Sequence, residues 1–299
     1  MSVLMTIATG MQAQLETYPC SKTTNYSGGK SITNNGKNDA GNGYNYELWS
    51  DRSYSGTMTV FGGDAACAFK ASWTNASDFM ARIGYYDSSH RKTYSELGNI
   101  IAEFNETKSG SAGSDYSYIG VYGWFANPAV EYYIVDDTFH PNMDFSSWGY
   151  TVSGSYELDD ATYTLYKKIY TNLPNAFGTY NFTSYIAFRS TLRHCGRISV
   201  SEHFKKWEEL TNTQLGKISE SKILCEVGGG SGSIEFFYAT MDWEGCTGIG
   251  LYAFDPDCIN EIHPNTSNDD WHTLDGIKLQ NKPNTKDIYI HGGKKVVIK

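Results

Sequence analysis

Residues 116–137 read YSYIGVYGWFANPAVEYYIVDD. Two runs with a period of two flank a turn. In the first, Tyr118, Gly120, Tyr122 and Trp124 alternate with Ile119, Val121 and Gly123; in the second, Glu131, Tyr133 and Val135 share one face and Val130, Tyr132 and Ile134 the other. That period belongs to strands, whose successive side chains point to opposite faces. Asn127-Pro128 marks the turn, because proline cannot donate to a sheet ladder and restricts the residue before it. Glu131 therefore sits mid-strand in an aromatic run. An ionised carboxylate is costly to bury unless paired or hydrogen-bonded, so it faces a solvated cleft or holds a specific partner. The simpler alternative is an outward-facing glutamate on an ordinary strand.

Outward from this stretch the same rhythm continues. From Tyr44 come 44–51 (YNYELWSD), 58–63 (MTVFGG), 67–73 (CAFKASW), 78–87 (DFMARIGYYD), 97–106 (LGNIIAEFNE), two strands around Asp159-Asp160 within 149–174, and 179–193 (TYNFTSYIAFRSTLR). Many short strands with Gly/Asn turns predict a sandwich or jelly roll. One segment differs: 199–210 (SVSEHFKKWEEL) puts Phe204, Trp207 and Leu210 at helical spacing, and Ser199 with Glu202 offers a capping box. It reads as an amphipathic helix outside a sheet, with His203 structural or solvated rather than a base. Asp136, Asp137, Asp159 and Asp160 lack EF-hand spacing and read as turn or strand-end residues.

The 299 residues carry a formal charge of −9, which argues against nucleic acid or an anionic membrane surface as partner, since phosphate binding needs basic patches. No stretch reaches the roughly 18–20 apolar residues of a membrane span. The chain holds 23 Tyr and 7 Trp, a usage that suits sugar rings and equally suits an all-β core. Residues 1–13 resemble the remnant of a secretory signal peptide, with Val3 to Thr9 as apolar core and Met11-Gln12-Ala13 as cleavage region. Residues 14–42, rich in Gly and Asn, read as a flexible lead-in. The six cysteines fit no CxxC zinc pattern. Cys246 and Cys258 flank one short segment and form the expected disulfide; Cys225, adjacent to Glu226, points to the opposite face as a small core hydrophobe.

YGWFANPAVEYYIVDD resembles the nucleophile motif of the glycoside hydrolase family 11 xylanases, and CEVGGGSGS at 225–233 resembles the family's second glutamate motif. The resemblance spans about residues 43 to 238. It implies an all-β fold, a β-jelly roll of two packed, strongly curved antiparallel sheets with one α-helix, and a catalytic domain over 43–239. It implies a secreted, monomeric endo-1,4-β-xylanase that needs no cofactor or metal and acts on xylan with retention of configuration. Glu131 would be the nucleophile and Glu226 the acid/base. Tyr122, Trp124 and Tyr133 would line the cleft, Trp49 would stack on a xylose, and Pro174 would sit at the tip of a thumb loop. Asp78 would lie beside the acid/base and tune it toward an acidic optimum, the two carboxyls sharing a hydrogen bond and titrating as a coupled pair.

Three positions depart from the family pattern: Tyr170 replaces an Arg, Ser184 a Gln, and Gly228 an aromatic after the acid/base. Lys167 and Lys168 are candidates to replace the lost cation. The chemistry itself needs two carboxyls across the scissile bond, one to attack and one to protonate the leaving oxygen. A jelly-roll β-glucanase would use the same pair with room for a C6 hydroxymethyl group; a non-catalytic carbohydrate-binding protein would need the aromatics but not both glutamates. The strand rhythm breaks after Tyr238, leaving 240–299 as an extension of unassigned role. Its last 25 residues, 275–299, read as a strand, a Gly-Gly turn and a basic strand, and weakly resemble a type IX secretion sorting signal, with Asp287 where those signals carry Gly. A cell-surface protein that cleaves no sugar is the reading this tail alone suggests.

Overall fold

The computed structural model describes residues 20–41, 43–52, 55–113, 115–244, 271–273, 278–279, 287–291 and 294–298. The leader-like stretch 1–13 and the expected Cys246–Cys258 pair lie outside these residues. The chain divides into two compact units, Met1–Phe254 and Asp255–Lys299.

In chain order the first unit contains β1 (Lys30–Ile32), β2 (Gly36–Asp39), β3 (Asn45–Ser50), β4 (Gly56–Val60), β5 (Phe69–Trp73), β6 (Phe79–Tyr86), α1 (Tyr94–Leu97), β7 (Asn99–Ser111), β8 (Ser117–Ala126) and β9 (Val130–Asp137). There follow β10 (Thr151–Leu158), β11 (Ala161–Pro174), β12 (Tyr180–Arg189), β13 (Cys195–Ile198), α2 (Val200–Thr211), β14 (Lys217–Val227) and β15 (Ser231–Glu244). A six-stranded sheet runs β1-β4-β5-β15-β7-β13 and a nine-stranded sheet runs β10-β11-β12-β9-β8-β14-β6-β3-β2. This is the expected jelly roll, with one refinement: β12 and β9 pair in parallel, while their neighbours are antiparallel.

The alternation read from sequence decides which face goes where. Phe69, Phe104 and Phe236 of the smaller sheet meet Ile83, Val121, Tyr132 and Tyr185 of the larger one in a single buried core. The opposite face of the larger sheet carries a second cluster of Tyr118, Tyr122, Trp124, Tyr133, Phe145, Tyr150 and Phe182. Four of these residues come from the aromatic run of the opening stretch. Strand approach is close here: a Cβ on Gly123 would lie 1.9 Å from the Glu220 carbonyl oxygen, so only glycine fits.

The helix forms as expected, but its N-terminus differs. Ser199 makes no side-chain cap; its hydroxyl donates to Asp159 Oδ1 at 2.7 Å and its backbone N–H to Asp159 Oδ2 at 2.8 Å. A turn carboxylate 40 residues earlier outcompetes the local capping box. Phe204 and Trp207 are fully buried, worth about 1.5–3 kcal/mol each. Leu210 remains 37% exposed and rests over Gly154 of β10. His203 is buried and structural, with Nδ1 2.6 Å from the Tyr156 hydroxyl and Nε2 3.5 Å from Asp159. A capping box does occur at the one-turn helix α1, between Thr93 and Glu96.

The lead-in is more ordered than its composition predicts. β1 pairs with β4 and β2 with β3, so 30–39 supplies an edge strand to each sheet. Cys20 is disulfide-bonded to Cys195, the Lys22 ammonium donates to Glu103 at 3.2 Å, and Tyr26 stacks on Phe61 with ring centroids 3.7 Å apart. Cys67 and Cys225 are free and buried. Asp136 sits in a buried pairing with Arg193 at 2.7 Å and Tyr163 at 2.6 Å, and Asp137 pairs with Lys108; both fasten a strand end. Asp159 and Asp160 form the β10–β11 turn, both at positive φ.

The second unit contains β16 (Trp271–Thr273), β17 (Lys278–Leu279), β18 (Asp287–His291) and β19 (Lys294–Ile298), an antiparallel sheet in the order β17-β16-β18-β19. Its β18–β19 pair is the hairpin expected at the tail. Among the described residues no helix is long and apolar enough to cross a membrane, and no group of three or more His, Cys, Asp or Glu could hold a metal.

Candidate active site

Strand pairing lays out the aromatic face. Trp49 on β3 stands opposite Met80 on β6, Met80 opposite Glu226 on β14, and Glu226 opposite Tyr118 on β8. On the neighbouring strands Trp124 opposes Glu131, and Tyr122 opposes Tyr133. Glu131 and Glu226 thus project from the same face. Each is half-buried in a strand whose other residues are almost all buried, so each carboxyl looks into a cleft rather than out from a surface.

Glu131 Oε1 is held by two phenols, Tyr122 at 3.2 Å and Tyr133 at 3.4 Å. Trp124 Nε1 donates to the Tyr122 hydroxyl at 2.5 Å, which fixes that phenol to donate onward. Ser184, directly opposite Glu131 on the parallel strand, gives a further hydrogen bond. Burial raises the Glu131 carboxyl above its ordinary value, while Ser184, Tyr122, the Arg82 charge and Tyr133 pull it back. Glu226 is pushed up much further, by burial first and then by the negative charges of Asp78 and Glu131; Arg82 and the Tyr133 hydroxyl oppose this. Two carboxyls feel each other's charge, share one phenol and sit at different points of titration, one suited to staying ionised and the other to keeping its proton.

Asp78 lies close enough to raise Glu226 electrostatically, and burial raises its own carboxyl as well. The hydrogen bond expected between them is not formed: Asp78 Oδ1 and Glu226 Oε2 are each buried without a partner. Trp49 lies on the cleft face in the row of Met80 and Glu226 and is 38% exposed. Pro174 is exposed and pairs with Tyr180 at the end of β11. The thumb residue that reaches the cleft is Phe177, edge-on to Trp124 at 5.8 Å and to His90 at 4.9 Å.

The three departures each have a structural answer. A Cβ on Gly228 would meet the Tyr116 ring at 2.6 Å. Tyr116 fills that space, stacked on Tyr118 at 5.4 Å, so an aromatic beside Glu226 is present but arrives from the residue just before β8. Ser184 bonds Tyr150 Oη at 3.1 Å as well as Glu131. Tyr170 stacks on Phe182 at 4.7 Å. Of the two candidate lysines, Lys167 lies over the core tyrosine Tyr185, and Lys168 lies over Tyr170 and donates to the Trp148 carbonyl. Neither replaces the cation; the positive charge acting on both glutamates is Arg82. Sequence reading missed Arg82, Tyr116 and Tyr150. The available signal for Arg82 was a lone arginine at an inward-facing position of an otherwise apolar strand.

Comparison with known proteins agrees with this fold. A family model described as glycosyl hydrolases family 11 matches residues 41–236. Endo-1,4-beta-xylanase S20 of Neocallimastix patriciarum is 42% identical over 228 residues, covering 74% of this chain and 65% of that protein. Endo-1,4-beta-xylanase C of Fibrobacter succinogenes is 42% identical over 200 residues, 66% of this chain but 31% of that protein. The chain therefore spans less than two thirds of these curated relatives. Among solved structures, wild-type ENZbleach xylanase superimposes with a TM-score of 0.67 at 38% identity, covering 73% of this chain and 88% of that one. With a family model matching from 41 to 236 and the paired glutamates set in an aromatic cleft, the chain belongs to glycosyl hydrolases family 11.

Proposed function

We propose that this protein is an endo-1,4-β-xylanase that cleaves internal β-1,4 bonds of xylan with retention of configuration. The observation that carries the reading is the glutamate pair: Glu131 and Glu226 on one concave aromatic face, joined through Tyr133 and displaced to different extents in their titration.

Ionised Glu131 attacks the anomeric carbon while protonated Glu226 gives its proton to the leaving oxygen. Loss of that proton lets Glu226 activate water, which hydrolyses the glycosyl-enzyme and returns the proton. Trp49 offers a ring face for a sugar on one side of Glu226, and Tyr118 with Tyr116 offers another on the opposite side. Phe177 packs edge-on against Trp124, the residue opposite Glu131. Support for xylan as substrate comes from the names of the relatives. Support for export comes from the leader-like 1–13 and from the Cys20–Cys195 disulfide, a bond that persists in oxidising compartments. The described cleft residues all come from strands of one chain, which supports a catalytic unit that works as a monomer.

The test is reducing-sugar release from unsubstituted β-1,4-xylan by the wild type and by Glu131→Ala. Release that disappears in the variant supports the reading, and proton NMR of the first product assigns its configuration. Preferential release from barley β-glucan points to the glucanase reading. Binding without release by the wild type points to a carbohydrate-binding protein on a hydrolase fold.

A further inference from the structure

Five charged side chains gather on the cleft face of β2, β3, β6 and β14. Arg82 Nη2 donates to Glu47 Oε2 at 2.6 Å and its Nε to the same oxygen at 3.1 Å; its Nη1 lies 3.3 Å from Glu220 Oε1. Lys222 is 3.0 Å and Lys37 3.3 Å from Glu220. Arg82, Glu220 and Lys222 are all at most 5% exposed. Desolvating charges in this number is expensive, and replacing such a network by apolar residues is often neutral or stabilising. Stability alone is a weak reason for it.

The network abuts the hydrolytic site. The Arg82 guanidinium carbon lies 4.2 Å from the centroid of the Tyr122 ring, and that phenol donates to Glu131. A cation on the ring face holds the ring and makes the phenol a stronger donor.

We propose that Arg82 is a positioning residue of the hydrolytic pair: clamped by Glu47 and Glu220, it fixes Tyr122 against Glu131 and supplies the positive charge against which both glutamates work. This rests on Glu131 and Glu226 being the catalytic carboxyls. The groups facing Glu131 are Tyr122 and Trp124 from β8, Tyr133 from its own strand, Ser184 from β12, Arg82 from β6 and Glu226 from β14. Arg82 is the cation among them. Those facing Arg82 are Glu47 from β3, Glu220 and Lys222 from β14, Lys37 from β2 and Tyr122 from β8. Burial opposes the charge on Glu220, yet Arg82, Lys222 and Lys37 overcome it and hold this carboxyl at about 2, so it stays anionic and keeps its grip on the guanidinium.

Two substitutions have opposite consequences. Arg82→Gln removes the cation, so both limbs of the pH profile of kcat/KM move to higher pH, by on the order of one unit and hence tenfold in rate below the acid limb. Glu47→Gln leaves the guanidinium less neutralised, so both limbs move to lower pH. A purely structural network lowers the melting temperature in both variants and moves neither limb, and that outcome overturns the proposal. Glu47→Gln keeps Arg82 and carries the test if Arg82→Gln does not fold. Titration of the Glu131 carboxyl by 13C NMR reads the same shifts without turnover. An inactive wild type with NMR shifts in these directions therefore defeats the proposed function and leaves only the electrostatic control of Glu131 by Arg82, and an active wild type with unmoved carboxyls overturns this inference alone.

Discussion

Cys20 and Cys195 are joined across a sequence separation of 175 residues, with Cα atoms 5.2 Å apart. The bond ties the lead-in to β13, the edge strand of the smaller sheet, on the face of the molecule away from the glutamates. A cross-link over so long a loop removes much freedom from the unfolded chain, typically worth about 2–4 kcal/mol. Cys195→Ser, or reduction of the wild type, is expected to lower the thermal midpoint by several degrees while leaving kcat near 25 °C close to the wild-type value. Calorimetry and an activity assay on the same samples check this; an unchanged midpoint would show that the lead-in is held by its strand pairing alone.

Tyr122→Phe deletes a hydroxyl that donates to Glu131 and accepts from Trp124. Trp124 is 6% exposed, so its indole N–H is left without a partner, at about 1–3 kcal/mol of stability. Glu131 loses one of the hydrogen bonds that oppose its raised titration, and the acid limb of kcat/KM is expected to move up. Chemical denaturation and a pH–rate series measure the two effects; a destabilised variant with an unmoved acid limb would remove Tyr122 from the control of Glu131.

Asp78 raises Glu226 by its charge, and both carboxyls lie above their ordinary values. The wild-type rate is expected to peak on the acid side, where Glu226 keeps its proton while Glu131 has lost its own. Asp78→Asn removes the neighbouring charge, so the Glu226 pKa read by carboxyl NMR is expected to fall and the alkaline limb of kcat/KM to move to lower pH. An alkaline optimum in the wild type contradicts this account.

Glu106 is a buried carboxyl away from the glutamate pair. Burial, then its contact with Asp137, raises it to about 8, against the pull of Lys108. A carboxyl raised on folding contributes stability that is complete below its unfolded value near 4.5 and is lost as pH climbs through about 8, at up to about 1.4 kcal/mol per unit. Glu106→Gln, which cannot ionise, is expected to flatten the fall in stability between pH 5.5 and 8.5. Urea midpoints across that range in both proteins decide it; parallel slopes would assign the loss to other groups.

Much of this site was legible because its signals are local. The alternation around Glu131 separates Tyr122 and Tyr133, which face the cleft, from Tyr132, which faces the core, before any partner strand is known. Cys225 was placed in the core by the same parity. What stayed hidden depends on neighbours distant in sequence. Arg82 acquires meaning only when β14 brings Glu220 and β3 brings Glu47 beside it. Tyr116 becomes the aromatic wall only because Gly228 leaves room for it. Ser199 was misread as a cap because Asp159 is invisible from the helix. The lead-in looked flexible because composition reports local propensity, whereas a disulfide and two strand pairings determine its order.

The parallel pairing of β12 with β9 sets Ser184 opposite Glu131 on adjacent strands, and β12 also carries one leg of the loop at 174–180. The proposed substrate-holding loop and the proposed nucleophile are therefore joined by rungs of one ladder. Ser184 ties β12 to Glu131, so if a bound chain displaces the loop, the hydrogen bond from Ser184 and the titration of Glu131 are expected to change together. Titrating that carboxyl with and without a bound oligosaccharide reads that change directly.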